Sequence, residues 1–112
     1  MLFSLTVEYT PAAINAMREN QSSQSRQEAV KNLIEEAGGK LIAIYFKIVQ
    51  GPGAQVVFDV PDPAMAAAIT SVAIQGGGVQ NPRLERLYTQ DEVLGIRQRV
   101  NQIRDAYKTP GQ

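Results

Sequence analysis

Residues 40–48 place the tightest constraint on the fold, because Leu41, Ile42, Ile44, Tyr45, Phe46 and Ile48 leave a strand through them with no polar side. A strand that is apolar on both faces must be covered on both. The chain has 112 residues, 44% of them hydrophobic, which is material for one core and not for two. One domain over residues 1–108 is therefore expected, with residues 109–112 as a tail. The second face of the strand must then be sheltered by helices or by another subunit.

The flanking segments say what the rest of that domain is. Residues 2–9 alternate Phe3, Leu5, Val7 and Tyr9 with Ser4, Thr6 and Glu8, the period of a half-buried strand. Thr10 supplies an N-cap hydroxyl and Pro11 suits the first helical position. Ile14 and Met17 give that helix an apolar side, but residues 20–25 carry no anchor, so the helix breaks or frays there and residues 22–25 read as a flexible surface loop. Ser25 and Glu28 have the spacing of a capping box, from which Val30, Leu33, Ile34 and Ala37 run as a buried stripe to Gly38 and Gly39.

Residues 55–60 return as a strand after Gly51, Pro52 and Gly53, closing a hairpin with residues 40–48. Val56, Phe58 and Val60 face the core, and Val57 and Asp59 the other side. Asp62 caps a second core helix with Pro63 at its first position, and Met65, Ile69, Val72 and Ala73 recur at helical spacing up to Gly76. Residues 83–88 read as a fourth strand whose Arg83, Glu85 and Arg86 suit a sheet edge. Thr89 and Glu92 form another capping box, followed by Val93, Ile96, Val100, Ile103 and Tyr107 on one side of a helix. The order predicts an α+β fold: a ferredoxin-like βαββαβ antiparallel sheet with two core helices on one face, the other face open, and an additional C-terminal helix.

Absences narrow the chemistry. Without cysteine there are no disulfides, thiolate metal sites or cysteine nucleophiles, and without histidine the commonest metal ligand and near-neutral general base are missing. No cofactor or metal is expected. Eleven basic and eleven acidic residues give a net charge of +0, so nucleic acid is not an expected partner. No apolar run approaches the roughly 18–20 residues that span a bilayer. No membrane partner and a cytoplasmic location are the expectations.

Several features together resemble the GYD domain family: Gly38-Gly39-Lys40-Leu41 before the two-faced strand, a glycine at the hairpin turn, Val60-Pro61-Asp62 before an alanine-rich helix, and Thr89-Gln90-Asp91-Glu92 opening the last one. The resemblance covers nearly the whole chain and implies a ferredoxin-like domain of the dimeric α+β barrel type, for which no molecular function is established. The Gly-Tyr-Asp run that names the family corresponds here to Gly53, Ala54 and Gln55, so only its glycine is retained.

Gly76-Gly77-Gly78 follows a helix and precedes a strand, the reverse of a phosphate-cradling loop, and reads as a C-cap and connector. Asp59 and Glu8 sit in strands, where a carboxylate facing an apolar cavity could serve as a base; solvent exposure is the simpler reading of both. Tyr9, Tyr45, Phe46, Phe58 and Tyr88 could line an apolar pocket with a phenol as polar handle, or pack in the core or a subunit interface. Arg97, Arg104 and Lys108 read as a solvated flank of the last helix. No catalytic residue is assigned, and Tyr45, Phe46, Asp59 and Tyr88 are the candidates for a pocket or interface. The expected function is a homo-oligomeric binding or structural module. The alternatives are a cofactor-independent enzyme of oxygenase or isomerase type, or a sensor, for a small apolar molecule held between sheet and helices.

Overall fold

The computed structural model describes residues 1–19 and 23–111. Four strands form one antiparallel sheet in the order β2-β3-β1-β4: β1 is Leu2–Tyr9, β2 Lys40–Lys47, β3 Gly53–Asp59 and β4 Val79–Leu87. The helices are α1 (Pro11–Glu19), α2 (Ser23–Glu36), α3 (Pro63–Gln75) and α4 (Gln90–Ile103), the last followed by a 3₁₀ turn at Arg104–Ala106. The fold is α+β.

The caps fall where the side chains direct them. Thr10 Oγ1 accepts from the Ala13 N–H at 3.2 Å, and Asp62 Oδ1 from the Met65 N–H at 2.8 Å with Pro63 behind it. Thr89 and Glu92 close the capping box reciprocally, Glu92 N–H to Thr89 Oγ1 and Thr89 N–H to Glu92 Oε1. One start differs: α2 begins at Ser23, which puts Ser25 inside the helix rather than at its cap. Of the break expected over residues 20–25, residues 20–22 lie outside the described residues, and residues 23–25 are the first turn of α2 and not the loop expected over 22–25.

Two strands start earlier than their side chains suggest. β3 begins at Gly53, which the turn-like Gly-Pro-Gly disguises, since the positive φ angles of the hairpin belong to Gln50 and Gly51. β4 begins at Val79, although it contains Pro82 and has Asn81 at φ 53°. The β1–β4 register shifts between Thr6 and Glu8, the bulge that accommodates these two residues on an edge strand.

Helices α2 and α3 cover one face of the sheet. Beneath them Phe3, Leu5, Val7, Ala54, Val56 and Phe58 from the central strands meet Ile34, Ala66 and Ile69, and Val60 closes the end of the core. Phe58 is fully buried, its ring 6.0 Å from that of Phe3. Opposite residues on paired strands share a face, so the register assigns the other side: Ser4 and Thr6, Gln55 and Val57, Ala43 and Tyr45, Arg83 and Glu85. Among the described residues no helix shelters the outer side of β2, where Tyr45 is 66% exposed; Ile42, inserted at a bulge between Leu41 and Ala43, is 50% exposed.

Candidate functional site

The four residues singled out from sequence do not converge. Tyr45 stands on the open face opposite Gln55, and Asp59 on the same face opposite Lys40, four residues away along β3. Phe46 pairs with Ala54 and turns to the helix side. Tyr88 follows β4, at the far edge of the sheet from β2, half-exposed with the Arg86 guanidinium 4.6 Å from its ring centre. Asp59 Oδ1 accepts from the Met1 amino group at 2.7 Å and is about half exposed, so it faces no apolar cavity.

What the structure does assemble is an apolar cavity of about 70 Å³ on the helix side, between α2, α3 and the sheet. The sheet contributes Leu5, Val7, Tyr9, Ile44, Phe46, Ala54, Val56, Phe58 and Val79, α2 gives Arg26, Val30, Leu33 and Ile34, and α3 gives Ile69 and Ala73. Ala54 is one of the small side chains among those that line this space. Next to the cavity lies a wider groove of about 400 Å³ lined from α1, α2 and α3, sharing Tyr9, Arg26, Val30, Leu33, Ala73 and Val79 with it.

Two residues with polar side chains, Tyr9 and Arg26, line both spaces. Burial pushes the Tyr9 phenol above its ordinary pKa of 10.0, and the positive charge of Arg26 draws it partly back. Near neutral pH the phenol therefore stays a neutral donor. Arg26 itself is exposed and, among the described residues, has no carboxylate at ion-pair distance. Sequence reasoning placed Tyr9 among the sheet aromatics but passed over Arg26. The signal was its spacing: Arg26 lies one helical turn upstream of Val30, at the head of the Val30, Leu33, Ile34 and Ala37 stripe.

A second surface belongs to α4. Arg86, on the helix side of β4, lies 5.6 Å from the Phe3 ring centre and donates to Glu92 at 2.6 Å, with further donation to the Leu87 carbonyl. The Thr89 N–H, then Arg86, holds the Glu92 carboxyl below its ordinary range. Beyond this tether no residue of α4 is buried, and Leu94, Ile96, Val100 and Ile103 are exposed.

Comparison with curated proteins finds no match. The family model of the GYD domain matches residues 3–96, which takes in all of the sheet but Leu2, α1 to α3 and the first half of α4, and the chain belongs to the GYD domain family.

Proposed function

We propose that this GYD domain is a homo-oligomeric module of ferredoxin-like architecture, in which a second copy covers the open sheet face and the apolar side of α4. The strand order β2-β3-β1-β4, built from two βαβ halves, supports the architectural reading. The bare stripe of α4 carries the assembly. Ile103 is 69% exposed and Tyr107 72%, and the radius of gyration is 17.8 Å where a domain of this length closes to about 13 Å.

The open face is suited to a copy of itself. It carries Lys40, Lys47 and Arg83 together with Glu8, Asp59 and Glu85, set around Val57, Ala43, Tyr45 and Leu87. Balanced charges around an apolar middle are what an isologous two-fold contact requires. Light scattering at micromolar concentration should give a dimer or larger species. A stable monomer under those conditions overturns the proposal.

The cavity favours a second reading, retention of a small apolar molecule between sheet and helices. Binding without turnover fits it better than acid–base catalysis. Among the described residues no carboxylate lines the cavity, and Asp59 stands on the opposite side of the sheet. Stabilisation of the fold by a ligand that is recovered unchanged distinguishes the two.

A further inference from the structure

Among the described residues lining the inner cavity and the groove beside it, Arg26 alone carries a charge. A guanidinium at the mouth of an apolar space is a recognition element for a planar anion, because its N–H groups match a carboxylate in a fixed fork. Here no carboxylate of the described chain occupies it. Behind it the walls are Leu5, Val7, Val56, Phe58 and Ile69, which offer no hydrogen bond to a polar tail.

From this arrangement, and resting on the reading that the space between sheet and helices holds a small molecule, we infer that the ligand is an amphipathic carboxylate: an alkyl or aryl chain in the cavity and a carboxylate on Arg26, with the Tyr9 hydroxyl as a second donor. The dimensions set the tail. A space of 70 Å³ matches the liquid volume of about two waters, so a slender chain segment enters and a fused ring system does not. The rest of the molecule lies in the 400 Å³ groove, where the head group meets Arg26 at the boundary shared by both spaces. A neutral ligand of the same shape would gain only the apolar contacts. A doubly charged or sugar-bearing anion would gain Arg26 and lose the walls.

The test compares straight-chain alkanoates of increasing length with the primary alcohols of the same length, by calorimetric titration and thermal shift on the intact protein. Alkanoates should bind about tenfold more tightly than their alcohols, a charge-assisted hydrogen bond being the difference. The preference should weaken with added salt, because Arg26 is exposed. In Arg26→Gln the two series should fall within about twofold of each other while alcohol binding is unchanged. Ala73→Leu, which adds bulk at a residue lining both spaces, should block both series, and Ala73→Met provides the same obstruction with a more adaptable side chain.

The outcomes separate the two claims. Equal binding of acids and alcohols overturns the carboxylate assignment and leaves the apolar pocket standing. No binding of either series to a folded protein overturns both. Acid preference that survives Arg26→Gln overturns the role given to Arg26.

Discussion

Position 53 is held to glycine by its surroundings. A Cβ there would overlap the Val7 carbonyl oxygen and stand 2.8 Å from Glu8 Cα, both backbone atoms of the neighbouring strand that cannot step aside. Gly53→Ala should therefore lower global stability by more than about 3 kcal/mol in denaturant unfolding. Gly77 is the contrast: its φ of +78° needs glycine, but a Cβ would meet nothing within 4 Å. Gly77→Ala should cost only the left-handed backbone penalty of about 1–2 kcal/mol. Glu92 carries a pH dependence of fixed sign. Its carboxyl is held below the ordinary value of 4.5 by the Thr89 N–H first and Arg86 second, so its stabilisation is complete above that value and fades as pH falls through the lower, folded-state value. In the wild type, amide protection at the start of α4 should drop in that acid range; Glu92→Gln should remove the step. Thr89→Ala should leave the depressed pKa largely in place, because the leading donor is the backbone N–H and not the hydroxyl.

Capping residues show how differently the elements depend on the core. Asp62 and Thr89 each accept the N–H three residues on, so loss of either side chain removes one helix-terminal hydrogen bond worth about 1 kcal/mol. Asp62 starts α3, whose Ala66 and Ile69 are buried, so Asp62→Ala should register fully in global unfolding. Thr89 starts a helix with no buried residue, and Thr89→Ala should instead show as faster amide exchange within α4 at nearly unchanged global stability. The same division explains what could be read from side chains alone. Helix starts at Pro11, Pro63 and Gln90 were legible because the capping side chain and the bond it makes are neighbours in sequence. Alternation was enough for β1 and for the core set Val56, Phe58 and Val60. Strand starts at Gly53 and Val79 were not legible. A glycine demanded by an approaching strand looks like a turn glycine, and a bulge holding Asn81 and Pro82 looks like a loop until its partner Glu8 is known. The cavity was hidden for a related reason: its lining residues come from six elements, and the space between them depends on the packing of helices on sheet.

At the scale of the whole molecule the chain divides into a body that buries its apolar residues and an arm that does not. The molecule extends 59 Å along its longest axis and 22 Å along its shortest, and the Arg86–Glu92 pair with the Thr89 cap is the local tether of α4 to the body. If a second copy covers that arm, folding and association are linked, and the melting temperature must rise with protein concentration. Removing the arm's apolar character should break that link without weakening the body, because no residue of α4 belongs to the core. The variant Ile96→Glu/Val100→Glu/Ile103→Glu tests this directly. Its melting temperature should be independent of concentration and close to that of the wild type at high dilution, and solution scattering should give one chain with a radius near 17.8 Å. A core change such as Phe58→Ala should do the opposite, costing about 3–5 kcal/mol while the dependence on concentration persists in whatever fraction remains folded. A wild-type protein whose melting temperature does not move over a hundredfold range of concentration would leave the exposed side of α4 without a second copy to cover it.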